Sequence, residues 1–162
     1  MKLSEREVMY LCGFLDGDGS IITQIVRDKT YHRGFYIRIG INFHQSTKRH
    51  WFILHLKRLL KVGSITTKKD GMSLYTITGK KPAKSLLTIL KPHLIIKKSL
   101  ARLVLRIIER NETVSTDAEF IEVCKLVDKT AELTDSKKRI ITSQTVMDFL
   151  TSRAQTEIDT EL

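Results

Sequence analysis

The sequence predicts an α+β fold, with an αββαββα core whose four antiparallel strands form one sheet, followed by further helices. Three observations predict it. A capped helix passes directly into period-2 alternation, a second helix is followed by two more alternating runs around a turn dipeptide, and the remainder is helical in pattern.

Each element can be justified in turn. Ser4-Glu5-Arg6-Glu7 reads as a capping box, with Ser4 as N-cap and Glu7 reaching back to it. The helix it opens carries Val8, Leu11, Cys12 and Leu15 on one stripe and should end near Gly17–Gly19. Ile21, Thr23 and Ile25 then alternate with Ile22, Gln24 and Val26. After a polar turn, Ile37, Ile39, Ile41 and Phe43 alternate with Tyr36, Arg38, Gly40 and Asn42. Ser46-Thr47 can cap a second helix bearing Phe52, Leu56, Leu59 and Leu60. Strands near Gly63–Lys68 and Ser73–Thr78 join through Asp70-Gly71. Pro82 starts a third helix, with Ala83, Leu86, Leu87 and Leu90 at helical spacing, and Pro92 stops it. A fourth runs from about Lys97 to Arg110 on Leu100, Leu103, Val104 and Ile107. Phe120, Val123, Cys124, Val127 and Ala131 mark a fifth, and a short sixth lies around Thr142–Leu150. The expected organisation is one domain over 1–162, with the core in 1–110, C-terminal helices in 111–155 and a frayed tail in 156–162.

With 162 residues and an ordinary hydrophobic share, the chain can bury a core without staples, and no apolar run reaches membrane-spanning length. Neither a signal peptide nor an Arg/Ser-rich transit peptide is visible at the N-terminus, which leads us to expect a protein that works where it is made. Cys12 and Cys124 fall inside apolar helical patterns, as buried free thiols do, and supply no metal-ligand spacing. The charge is uneven. Residues 1–110 hold 22 Lys+Arg against 7 Asp+Glu, whereas 111–162 hold 6 against 11. A basic body with an acidic end points to a polyanion bound by the first two-thirds, although a solvated basic face would look the same.

The stretch Leu11-Cys12-Gly13-Phe14-Leu15-Asp16-Gly17-Asp18-Gly19 asks for a chemical reason. Gly13 and Gly17, four apart, share a helix face, and each costs roughly 1 kcal/mol of helix stability relative to Ala. Close approach of another helix would justify them. If that helix is its own copy, the two C-terminal ends meet near a two-fold axis and each delivers Asp18 as a hard oxygen ligand for Mg²⁺. A calcium loop starting at Asp16 fails on spacing, since its sixth position is Ile21 and its twelfth Arg27. The bland alternative is a turn after a helix.

Leu-Cys-Gly-Phe-Leu-Asp-Gly-Asp-Gly-Ser-Ile resembles the motif of the LAGLIDADG homing endonucleases, with Cys12 in place of the commoner Ala. The similarity continues through Gln45-Ser46-Thr47-Lys48-Arg49-His50-Trp51-Phe52, Lys91-Pro92, Leu103-Val104-Leu105-Arg106-Ile107-Ile108-Glu109 and Asp135-Ser136-Lys137. One motif copy implies a homodimer cutting both strands of a long pseudo-palindromic double-stranded DNA target, with short 3′ overhangs and in the service of intron mobility. The resemblance also implies Mg²⁺, with Mn²⁺ as a substitute and Ca²⁺ binding without supporting cleavage, and an organellar setting (chloroplast or mitochondrion). It implies no membrane and no small-molecule substrate. Residue by residue, it makes Asp18 the metal ligand, assisted by the Gly17 carbonyl, and gives Asp16 a structural role at the helix end. Gln45 and Arg49 match the polar pair that organises water near the metals, and Lys97 the lysine over the site. The dimer interface would use Leu11, Cys12, Gly13, Leu15, Asp16 and Gly17.

Strand position in the family suggests Ile22, Gln24, Val26, Asp28, Thr30, Tyr31, Tyr36, Arg38, Asn42, Thr66, Lys68, Ser73 and Tyr75 as groove-facing. Arg38 and Lys68 would suit guanine, Gln24 and Asn42 adenine, and Asp28 a cytosine amine. Lys137 and Lys138 resemble phosphate contacts. Ile140 and Ile141, which follow Arg139, depart from the polar residues usual there. Two rivals carry less: an acid-x-Lys reading of Asp135-Ser136-Lys137, which lacks an acid-bearing strand before it, and an RNA maturase or cleavage-dead binder on the same fold. Such a binder would not need Asp18, Gln45, Arg49 and Lys97 together.

Overall fold

The computed structural model describes residues 2–135 and 139–160. In order these form α1 (Glu5–Asp18), β1 (Gly19–Arg27), β2 (Phe35–Ser46), a 3₁₀ turn (Thr47–Arg49), α2 (His50–Leu60), β3 (Ser64–Thr67), β4 (Met72–Thr78), α3 (Lys80–Leu90), α4 (Lys98–Glu112), α5 (Asp117–Lys129), a second 3₁₀ turn (Thr130–Leu133) and α6 (Ser143–Thr160). The strands make one sheet in the order β1-β2-β4-β3, the expected αββαββα core. Chain contacts gather it into two compact units, residues 1–22 with 39–105 and residues 23–38 with 106–162.

In the first unit the Ser4 capping box forms as expected, with Ser4 accepting from the Glu7 amide at 3.3 Å and Glu7 accepting from the Ser4 amide at 2.7 Å. Val8, Leu11, Cys12 and Leu15 are buried. This corrects one expectation: Leu11, Cys12 and Leu15 belong to the chain's own core and are not free to form a dimer interface. Cys12 donates its thiol to the Leu90 carbonyl at 3.4 Å, and burial pushes its pKa up to about 11. Phe14 stacks on Phe43 at 5.5 Å and meets Phe52 edge-on at 5.3 Å, which clamps α1 to the end of β2 and the start of α2. Gly19 carries the chain from helix to strand without a spacer. A Cβ there would lie 2.8 Å from the Leu15 Cα, so only glycine permits the corner.

The pairing of β2 with β4 sets Phe43 beside Tyr75 and Ile41 beside Ile77. Ile39, Ile41, Phe43, Ser73, Tyr75 and Ile77 therefore share the covered face, against which α2 and α3 pack. A second expectation falls here. Ser73 and Tyr75 are both 0% exposed and do not face a groove. Ser73 Oγ lies 2.8 Å from His50 Nδ1, and the Tyr75 hydroxyl donates to the Val62 carbonyl at 2.5 Å. The opposite face in this unit carries Gly40, Asn42 and His44 of β2, Met72, Leu74, Thr76 and Thr78 of β4, and Ser64 and Thr66 of β3.

In the second unit the end of the β1–β2 hairpin is tied to α5 and α6. Arg33 bonds Asp117 at 2.8 Å and the Ser115 carbonyl at 2.9 Å, Arg27 lies over the Phe35 and Phe149 rings, and Arg153 donates to the His32 carbonyl. A capping box unseen in the sequence reading opens α5, with Thr116 as N-cap and Glu119 reaching back. Cys124 is buried there, its pKa pushed up to about 12 by desolvation. The sixth helix is not short: it continues to Thr160, through residues expected to fray. Among the described residues, no helix is long and apolar enough to cross a membrane.

Candidate active site and nucleic-acid face

The end of α1 distinguishes two carboxylates that stand two residues apart. Asp16 is spent on its own chain. Its Oδ2 accepts from the amides of Ile95 at 2.8 Å and Ile96 at 3.1 Å, and its Oδ1 accepts from the Lys97 amide at 2.9 Å. Burial works to raise its pKa, but these amides and the Lys97 charge outweigh that and hold the carboxyl below its usual range. The structural role expected for Asp16 is thus visible: it docks the segment before α4.

That docking positions Lys97. Its ammonium donates to the Asp16 carbonyl at 2.6 Å, placing a cation at the negative end of a helix whose last turn has no basic residue of its own. Asp18, the final residue of α1, is exposed and makes no hydrogen bond or ion pair among the described residues. Gly17 is exposed beside it. A carboxylate and a helix-end carbonyl are hard oxygen donors of the kind Mg²⁺ prefers. No group of three His, Cys, Asp or Glu gathers among the described residues.

Gln45 and Arg49 form the third component. Gln45 Oε1 accepts from the Ser46 amide at 2.9 Å and from Arg49 Nη1 at 3.2 Å, which fixes the orientation of the amide. Both flank the aromatic clamp, Gln45 two residues after Phe43 and Arg49 three before Phe52. All four expected catalytic residues therefore lie in the first unit, around the motif helix and the strand and helix clamped to it.

Among the described residues, the far face of α1 is left uncovered. An added Cβ at Gly13 or Gly17 would meet nothing within 4 Å, and Met9 and Tyr10 on the same side are exposed. Trp51 is also exposed, while Ile95 and Ile96, whose amides hold Asp16, leave their side chains 86% and 73% exposed. Sequence reasoning assigned none of Met9, Tyr10, Trp51, Ile95 or Ile96. The signal was present in Ile95-Ile96, an apolar pair outside any helical stripe.

The strand residues expected at DNA divide by unit. In the first, Ile22 is half-buried, Thr66 and Lys68 are exposed, and Asn42 is 9% exposed with its Oδ1 unpartnered among the described residues. A buried acceptor without a donor asks for one from outside. His44, Met72, Leu74 and Thr76 share that face and were missed. In the second unit, Gln24 and Val26 are half-buried beside exposed Arg38, which donates from Nη2 to Gln24 Oε1. Tyr31 stacks on Tyr36 at 4.8 Å. Asp28 Oδ1 accepts from the Thr30 amide at 3.0 Å and its hydroxyl at 2.8 Å, so it builds the hairpin turn and keeps only its other oxygen for a ligand. Lys137 and Lys138 lie outside the described residues.

A model of the LAGLIDADG endonucleases matches residues 11–108, from the motif helix through most of α4. The chain belongs to that family. DNA endonuclease I-CvuI of Chlorella vulgaris is 35% identical over 87% of this chain and 88% of its own, and DNA endonuclease I-CreI of Chlamydomonas reinhardtii 37% identical over 95% and 94%. The crystal structure of I-CvuI with the I-CreI target and Mg, its DNA uncleaved, matches with a TM-score of 0.86 at 32% identity, covering 91% of this chain and 94% of that one. I-CvuI has also been seen with its own target in the presence of Ca. As a LAGLIDADG endonuclease, this chain is an enzyme acting on DNA phosphodiester bonds.

Proposed function

We propose that the chain is a homing endonuclease which, as a homodimer, cuts both strands of a long pseudo-palindromic DNA duplex and leaves short 3′ overhangs, promoting intron mobility in an organelle. The observation that carries the reading is the contrast at the end of α1: Asp16 is consumed in holding Lys97, while Asp18 two residues later is exposed and has no hydrogen-bond or ion-pair partner among the described residues. A helix-end aspartate with no internal task, at the place where the resemblance puts the metal ligand, is available for chemistry.

The Asp18 carboxylate and Gly17 carbonyl would hold Mg²⁺ or Mn²⁺, with target phosphates and a second copy completing the shell. When bound, such an ion activates water and stabilises the leaving oxygen of a phosphodiester. Lys97, anchored through the Asp16 carbonyl, holds a positive charge at that end. Arg49, steadied by Gln45, supplies another donor to the cleaved strand. The second copy would cover the bare face of α1, where Gly13 and Gly17 admit close helix approach and Met9, Tyr10, Trp51, Ile95 and Ile96 are otherwise left to water.

The open sheet face would lie in the major groove. On that face Gln24 Oε1 accepts from Arg38, so the Gln24 amide NH₂ and the remaining Arg38 N–H groups would donate together, which suits the N7 and O6 acceptors of guanine.

The test is Mg²⁺-dependent nicking or cutting of duplex DNA spanning the natural insertion site, wild type against Asp18→Asn. Equal activity in the two would sink the proposal. Sedimentation at micromolar concentration should give about twice the 18.7 kDa of the chain, and a monomer on DNA would rule out the shared centre.

A further inference from the structure

The second unit contains a cleft of about 440 Å³ whose lining mixes two kinds of residue. Gln24 and Arg38 are polar and joined to each other, and Arg139 adds a second guanidinium. The rest of the lining is aliphatic: Ile25, Val26, Ile140 and Ile141. Ile140 is 87% exposed, so it packs on almost nothing of its own chain. A single exposed isoleucine needs no explanation, but an aliphatic cluster set among cations at a polar sheet face does. Phosphates are the wrong ligand for it, because they offer no apolar surface. The major groove offers one apolar group, the C5-methyl of thymine.

We propose that Ile140 reads the C5-methyl group of a thymine in the target, beside the base that Gln24 and Arg38 engage. The inference rests on the DNA-binding reading above. It makes the loop after residue 139 a determinant of sequence preference, whereas a lysine or serine there would give sequence-blind phosphate contact. Arg139 fits this division of labour: its guanidinium donates to the Thr130 hydroxyl at 3.2 Å, which ties the loop to the 3₁₀ turn after α5.

The experiment uses the full chain and a site selected for cleavage by wild type from a randomised duplex pool. Each thymine in that site is replaced in turn by deoxyuridine, which removes the methyl and nothing else. Binding is measured with Ca²⁺ and cutting with Mg²⁺. At one position per half-site, deoxyuridine should weaken wild-type binding about fourfold, the size expected for one buried methyl-sized group. Ile140→Ala should bind the thymine and deoxyuridine sites alike. Ile140→Lys should also lose the methyl dependence, while its affinity falls more steeply with salt by about 0.9 in log–log slope per subunit. If every substitution affects wild type and Ile140→Ala equally, the proposal is overturned and the endonuclease reading stands. Affinity lost in Ile140→Ala without methyl dependence puts the side chain against deoxyribose and overturns it too. A wild type that cuts nothing from the pool overturns the endonuclease reading and this proposal with it.

Discussion

The two long sides of α1 obey different rules. On one, Val8, Leu11, Cys12 and Leu15 are sealed into the first unit, and Cys12 even spends its thiol on the Leu90 carbonyl. On the other, Gly13 and Gly17 face open space, with Met9 and Tyr10 exposed beside them. A helix that is apolar or small on both sides is burying one and reserving the other. The difference separates three tasks: the core stripe holds the fold, the glycine stripe stays open, where the proposed second copy would pack, and the C-terminal turn carries the acids. The same separation recurs between Asp16 and Asp18.

The most severe break should come at the acids. Asp18→Asn is expected to lower the rate of DNA cutting at least about a thousandfold, as loss of a site's central charge does, while Tm and target affinity measured with Ca²⁺ stay near wild type. On the core side, Leu15→Ala should cost about 3 kcal/mol of unfolding free energy in urea denaturation, because it empties a fully buried site. On the open side the sign should reverse for folding. Gly13→Ala relieves the helix of roughly 1 kcal/mol and meets no neighbour in its own chain, so the monomer's stability should rise while its dimer dissociates more readily in sedimentation. If Gly13→Ala destabilised the monomer instead, the two sides of the helix would not be independent.

A subtler contrast concerns the sheet. Tyr75→Phe should cost about 1 kcal/mol or slightly more by leaving the Val62 carbonyl unpaired, and should leave the cleavage preference over a randomised pool unchanged. Altered preference would put Tyr75 back at the groove. The smallest effect is pH-dependent. The Asp16 carboxyl is held below its usual range, and a carboxylate with a lowered folded pKa contributes stability above its unfolded pKa and loses it as pH falls through the folded value. The stability gap between wild type and Asp16→Asn should therefore be complete at neutral pH and begin to close below about pH 4. A gap that stayed constant down to pH 2 would deny the amide cradle its role.

Local chemistry decided much of this in advance. The Ser4 capping box, the turn at Asp70-Gly71 and the strand alternation of β1 and β2 are contacts among near neighbours, and they stand where the residues alone place them. The motif likewise announced an end-of-helix acid and a glycine face. Strand β4 shows where such reading stops. Met72, Leu74 and Thr76 on one side and Ser73, Tyr75 and Ile77 on the other are equally plausible core faces by hydrophobicity. Only pairing with Phe43 and Ile41 selects the second set. Helix α6 outran its apolar pattern, and the Thr116 cap of α5 lay hidden among other polar residues.

The site divides in the same manner. Its residue types and the family they belong to were legible in the sequence by itself, because a motif is a statement about neighbours. Which of two aspartates is free, which side of α1 is bare, and which aliphatics surround the Gln24–Arg38 pair were decided only by tertiary structure. Those answers depend on amides at 95–97, on the helix packed opposite, and on a loop more than a hundred residues away from its cleft partners, none of which the sequence places in space.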